Sequence, residues 1–189
     1  MRIGGVVLAA GASRRLGELK QLVRLGEETL LGRAVRVARE AGCSPVVVVV
    51  GADYANVLAH SVLGDVVAVI NDRWEEGMAS SIRLGVQALT TTSQDAEGVV
   101  LMTCDQPAVA AQHLSRLMMG AEVKASHYAG RSGVPAFFPA KYFDSLMELD
   151  GDVGARELLA EARYEELEDG ELDVDTPADL VRARELFGY

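Results

Sequence analysis

Cysteine and histidine are scarce: Cys43 and Cys104 are the only thiols in 189 residues, and His60, His113 and His127 are scattered along the chain. There is no CxxC pair and no His/Cys ligand spacing, so neither a disulfide framework nor a zinc centre is expected. Buried, reduced thiols are the simpler reading of both cysteines. Positive charge is also short, with 18 Lys plus Arg against 28 Asp plus Glu, a formal net charge of -10 and a pI near 4.8. That balance has the wrong sign for a nucleic-acid or anionic-membrane partner. Apolar runs are brief. Pro45 to Val50 is far short of the ~20 residues a membrane helix needs, and Arg2 alone precedes an apolar run to Gly11, without the charged region or cleavage site of a secretory leader. A cytoplasmic protein is expected. No linker, internal repeat or low-complexity tract divides the chain, so a single domain over residues 1–189 is expected.

What is present is a rhythm of apolar strands and amphipathic helices. Ile3 to Ala9 and Pro45 to Val50 are unbroken, β-branched-rich runs closed by Gly11 and Gly51. Such runs suit central strands of a parallel sheet, covered on both faces. Between them the spacing predicts a helix over Glu28 to Ala41 with Leu30, Leu31, Ala34, Val35, Ala38 and Ala41 on its inner face, closed by Gly42. Val66 to Ile70 and Val99 to Thr103 add two strands around a helix over Met78 to Leu89 that buries Ile82, Val86 and Leu89. Thr90 to Gln94 reads as a surface loop. Val123 to Ala129 and Val134 to Phe138 suggest an antiparallel extension around a Gly130-Arg131-Ser132-Gly133 turn. Helices are expected over Lys141 to Leu149, Ala155 to Ala162 and from Thr176, where Pro177 and Asp179 complete a helix start with Leu180, Ala183, Leu186 and Phe187 inward. Met118-Met119 reads as core filling and Glu165 to Glu171 as a solvated face. The fold class is α/β, a three-layer domain with a mostly parallel sheet and an antiparallel extension, and ligands of such sheets bind beyond the carboxyl ends of the strands.

Chemistry-bearing residues gather at those ends. After the first strand, Leu8 to Lys20 combines small residues, Ser13 and the cations Arg15 and Lys20, a loop able to approach and neutralise a polyphosphate. It lacks the Gly-Lys-Ser/Thr of a P-loop and the GxGxxG of a dinucleotide fingerprint. Taken alone it is equally an ordinary loop with solvated cations. After the fourth strand, Asp105 in Cys104-Asp105-Gln106-Pro107 is placed to ligate Mg²⁺ or simply to cap a helix. Asp173 and Asp175 offer a second oxygen ligand, with capping the alternative for Asp175. Asn71 to Ser81, with Gly77, Met78 and two serines before a helix, can cradle a base or ribose, although Ser80 as a cap and Trp74 as a packing residue are the plainer readings. No GxSxG elbow is present.

Six segments in order, Leu8 to Lys20, Asn71 to Gly85, Cys104 to Pro107, Gly133 to Phe138, Gly151 to Arg156 and Asp173 to Leu180, resemble the molybdenum cofactor cytidylyltransferase family within the Rossmann-like nucleotidyltransferases. LAAGxSxRxGxxK is the most specific of them. The resemblance implies transfer of CMP from CTP to the terminal phosphate of molybdenum-bound molybdopterin, with release of pyrophosphate. It implies Leu8, Ala9, Ala10, Gly11, Ser13, Asn71, Gly77, Met78 and Ser81 for the nucleotide and Lys20, Arg15 and Asp105 for catalysis. It further implies Mg²⁺ on Asp105 and Asp175, and the acceptor at Pro135, Gly151, Asp152 and Arg156. A molybdenum hydroxylase or its maturation factor would be the protein partner. Ala10, where guanylyl-transferring relatives resemble LAGG, and the Asp105-Gln106-Pro107 triplet favour cytosine. One departure stands out: many members carry His where this chain has Val134. Transfer to a sugar or polyol phosphate, use of GTP, and a non-catalytic cofactor carrier are the alternatives.

Overall fold

Every residue of strand β1 (Ile3–Ala9) is buried, because alternate side chains enter two different cores. Ile3, Val7 and Ala9 join the cluster under one helical layer, and Val6 and Leu8 join the other. In the computed structural model, which describes residues 1–151, 155–160 and 162–189, the chain continues through a small ribbon, β2 (Arg24–Leu25) with β3 (Glu28–Thr29), to helix α1 (Leu30–Glu40). Then follow β4 (Val46–Val50), α2 (Tyr54–His60), β5 (Val67–Ile70), α3 (Met78–Thr92), β6 (Gly98–Thr103) and α4 (Ala111–Leu117). The hairpin β7 (Lys124–Tyr128) and β8 (Arg131–Pro139), α5 (Phe143–Met147), β9 (Arg163–Glu166) and α6 (Pro177–Phe187) complete the order.

The seven-stranded sheet has the order β5-β4-β1-β6-β8-β7-β9. The first four strands are mutually parallel, and β8 runs antiparallel to β6 and β7. This is the expected mostly parallel sheet with an antiparallel extension. One face is covered by α1 and α4, the other by α3 and α5, and a third apolar cluster packs α6 against Leu16, Val23 and Leu25.

Several boundaries differ from the sequence expectation. Thr29 Oγ1 accepts from Gly32 N at 3.0 Å, so α1 starts at Leu30 and Glu28 lies in the ribbon. Helix α3 runs on to Thr92, and the Thr90, Thr91 and Thr92 hydroxyls donate back to carbonyls of the preceding turn. The hairpin turn is tighter than read: Ala129 and Gly130 both take positive φ, leaving Arg131, Ser132 and Gly133 on the strand. The helix read over Lys141 to Leu149 is a short 3₁₀ turn, Ala140–Tyr142, followed by α5, and that over Ala155 to Ala162 is a 3₁₀ turn, Arg156–Leu159, with Glu161 outside the described residues. Helix α2 and strand β9 carry little apolar patterning and were not expected; β9 pairs with β7 through its backbone inside the acidic run. Leu186 and Met119 are exposed rather than inward.

Candidate active site

The carboxyl ends of β1 and β6 meet the start of α3 and the segment before α6. Gln21, fully buried, organises the loop after β1: its Nε2 donates to the carbonyls of Ala9 (2.8 Å) and Gly11 (2.9 Å). Ser13, at positive φ, accepts from Lys20 N at 3.0 Å and closes the turn through its own carbonyl. These bonds hold the backbone of Ala10 and Gly11 open to the cleft and start Lys20 toward the sheet. Gly51 permits the opposite wall, since a Cβ there would stand 2.7 Å from Trp74 Cβ and 2.8 Å from Ala10 Cβ.

A cleft of about 310 Å³ lies between these elements, lined by Leu8 to Gly11, Lys20, Gly77, Met78, Ser81 and Asp105, with Trp74 and Thr103. Gly77, Met78 and Ser81, at the start of α3, line one side of it. Gly77 makes this start, with φ 103° and ψ 179°, a backbone state reserved for glycine. Asn71 and Ser13 lie behind the wall and act on it indirectly. Asn71 Nδ2 donates to Ser80 Oγ (2.8 Å) and Ser81 Oγ (2.9 Å). Ser80 is inside the first helical turn and donates to the carbonyls of Arg73 and Gly77, so it is not the cap.

A second chamber of about 700 Å³ shares Lys20, Met78, Thr103 and Asp105 with the first and extends past Arg15 and Asp175 to Arg131–Val134, Arg156 and Asp173. At the junction Lys20 Nζ lies 2.6 Å from Asp105 Oδ2 and 2.8 Å from Asp175 Oδ1, and Arg15 reaches Asp175 Oδ2 at 2.6 Å. Burial works against the ammonium, yet the Asp105 and Asp175 carboxylates outweigh it and hold Lys20 well above the ordinary lysine range. Neither aspartate is a helix cap. Thr176 caps α6 in a reciprocal box with Asp179, and Ala110 precedes α4. Burial, reinforced by Asp105 and Asp175, pushes Asp173 up to about 6.

The two carboxylate segments are locked together by backbone. Val174 N donates to the Asp105 carbonyl at 2.9 Å, and Arg33 clamps the Pro107 carbonyl from α1 at 2.9 and 3.1 Å. Gln106 accepts from Thr103 Oγ1 and donates to Tyr128 and the Gly170 carbonyl. Two carboxylates drawn to one ammonium form a hard oxygen pair that fits Mg²⁺, an ion content with few protein ligands beside phosphate oxygens. Among the described residues no three His, Cys, Asp or Glu side chains gather for a metal, so an ion held here would need further oxygens from a ligand.

Of the residues expected on the acceptor side, Arg156 lines the second chamber, while Pro135 is buried behind it and Val134 faces it instead. Gly151 lines neither chamber; its carbonyl accepts from Ala79 N at 3.3 Å. Asp152 lies outside the described residues. Trp74, Thr103, Tyr128, Arg131 and Ser132 line the site without having been singled out for it, because nothing in their local spacing distinguishes them from packing or turn residues. Both thiols are buried and pushed up to about 12, which removes them as nucleophiles.

Residues 5–167 match the family model described as MobA-like NTP transferase domain. The purine catabolism protein PucB of Bacillus subtilis is 32% identical over 94% of this chain and 95% of its own length. A probable molybdenum cofactor guanylyltransferase of Opitutus terrae is 35% identical over 58% of this chain and 50% of its own. Among solved structures, Rv0371c of Mycobacterium tuberculosis superposes with a TM-score of 0.83 at 37% identity over 98% of both chains. A structure of Rv0371c in complex with manganese matches at 34% identity and a TM-score of 0.79, over 98% of this chain and 99% of that one.

Proposed function

The chain belongs to the MobA-like NTP transferase domain family, and from that premise we propose that this nucleotidyltransferase moves CMP from CTP to the phosphate of a molybdopterin-type acceptor and releases pyrophosphate. The observation that carries this reading is the pair of chambers joined at Lys20, Thr103 and Asp105. The smaller takes a nucleoside triphosphate with its base against Leu8 to Gly11 and Ser81. The larger, with Arg15, Arg131 and Arg156 on its lining, takes an anionic acceptor.

In the transfer, an acceptor phosphate oxygen forms a bond to the α-phosphorus while the bond from that phosphorus to the bridging oxygen of pyrophosphate breaks, its electron pair leaving with pyrophosphate. The nucleophile is already anionic near neutral pH, so no strong general base is needed. Lys20 and Arg15 neutralise charge on the α-phosphate and the leaving group; Lys20, part-buried against Asp105, has the greater leverage, and Arg15 reaches in from the exposed rim. Asp105 and Asp175 would hold Mg²⁺, which when bound supplies Lewis-acid polarisation of the phosphates. Ala10 and the Asp105-Gln106-Pro107 triplet support cytosine, and the guanylyltransferase relative makes GTP the competitor to test. Purified protein with Mg²⁺, a molybdopterin-type acceptor and each of the four NTPs should release pyrophosphate fastest with CTP. Faster release with GTP would replace the base assignment, and release with none would remove the molybdopterin-type acceptor and turn the search to sugar and polyol phosphates.

A further inference from the structure

Strand β8 holds two residues more than its neighbour at one point. Ala125 pairs with Ala136, yet the next residue, Ser126, pairs with Gly133, so Val134 and Pro135 bulge between them. The ladder from β6 also stops at Leu101 and Ala136. The two bulge carbonyls therefore fall outside both ladders, where an unmatched buried acceptor costs roughly 1–3 kcal/mol. Side chains take them instead. Ser126 Oγ donates to the Pro135 carbonyl at 2.7 Å, and the Tyr128 hydroxyl donates to the Val134 carbonyl at 3.1 Å.

Each hydroxyl is itself fixed from the next element. With its one proton given to Pro135, Ser126 Oγ accepts from His113 Nε2 on α4, 2.7 Å away. That assigns a proton to Nε2, and Nδ1 is buried without a partner among the described residues. Gln106, beside Asp105, donates to Tyr128 at 3.3 Å. His113 and Ser126 are 2% and 0% exposed and line neither chamber. The stretch they hold, Arg131–Val134, is the strand wall of the larger chamber.

We propose that His113 and Ser126 are positioning residues for the acceptor: they set the β8 bulge, and the bulge sets the wall against which the acceptor lies. This rests on the transferase reading of the site. A residue that merely fills the core would, when changed, lower stability without favouring one substrate. A residue that aims the wall acts on the acceptor and spares the nucleotide.

The test uses His113→Leu and Ser126→Ala, which break the relay, and His113→Gln, which keeps an N–H donor at similar reach. At saturating CTP the acceptor KM should rise about tenfold in the first two, the scale of one lost hydrogen bond. The CTP Kd, measured by calorimetry without acceptor, should stay within about twofold, and His113→Gln should recover near-wild-type KM. Amides of residues 131–138 should exchange faster with deuterium in His113→Leu while those of β1 stay protected. An unchanged acceptor KM in folded His113→Leu, a parallel loss of CTP affinity, or unchanged protection of residues 131–138 would each overturn the proposal. If the molybdopterin-type acceptor is not turned over by the wild type, the proposed acceptor fails, while the exchange measurement still decides whether the relay holds the bulge.

Discussion

Lys20 touches two carboxylates and stands where the two chambers meet, so single-residue changes there should act on chemistry more than on folding. Lys20→Ala and Asp105→Ala should each lower turnover at least ~100-fold, the scale of one lost electrostatic donor. Steady-state rates in variants shown to be folded check this, and near-wild-type rates in both would remove the site assignment. His113 makes a different prediction. Burial, with help from Arg116 and against a weaker pull from Glu165, pushes it down from 6.5 to about 4. The unfolded chain takes up this proton below about pH 6.5 and the folded chain only near pH 4, so stability falls as pH drops through that window, by an amount on the order of 3 kcal/mol at its lower end. Denaturant titrations of wild type and His113→Gln from pH 7 to about 4 should show the variant losing that part of the slope. Lys20, Asp105 and Arg15 were legible in the sequence as candidates at strand ends, but solvated cations and a helix cap stayed open until the family resemblance tied the segments together. Gln21, Gln106 and His113 were not, because their roles depend on carbonyls brought near by distant segments.

Elements set the angles at which those side chains arrive. The capping box at Thr176 and Asp179 fixes the start of α6, and Asp179 Oδ2 also accepts from Asp175 N at 3.2 Å, so the cap sets the backbone of a residue that pairs with Lys20. Thr176→Ala should cost about 1 kcal/mol and lower Tm by a few degrees. A fall in turnover should accompany it, seen at a temperature where the variant is fully folded; unchanged turnover would uncouple the cap from the site. Gly77→Ala should weaken nucleotide binding, since alanine at φ 103° and ψ 179° carries roughly 1–3 kcal/mol of strain at the start of α3. The start of α6 could be read from local sequence, whereas at α3 the sequence suggests Ser80 as a cap and Gly77 takes that place. Strand β9 could not, because Arg163–Glu166 is charged and is held through its backbone on β7, a pairing that no side-chain period encodes. The two-residue bulge in β8 escaped for the same reason: Gly133 and Val134 look like turn and strand until the register is known.

At the scale of the whole molecule, a chain of formal net charge -10 lines its larger chamber with Arg15, Lys20, Arg131 and Arg156 against Asp105, Asp173 and Asp175, a slight local excess of cations. Attraction for an anionic acceptor is thus local, and exposed arginines are screened within a Debye length of about 10 Å at 0.1 M salt. The acceptor KM should rise with ionic strength more steeply than the nucleotide Kd, because the smaller cleft is lined largely by apolar and small residues and its cation, Lys20, is part-buried. The parallel core of the sheet followed from unbroken apolar strands, and the place of the site followed from the strands' carboxyl ends. The joining of the chambers did not, since it depends on the segment before α6 bonding to the Asp105 carbonyl and on the β8 bulge beside β6. The most direct measurement follows the α-phosphate: with α-labelled CTP, Mg²⁺ and a molybdopterin-type acceptor, label should appear in the acceptor product, one pyrophosphate per transfer, in wild type and not in Asp105→Ala. Absence of label in acceptor with every α-labelled NTP, from folded wild-type protein, would contradict the account.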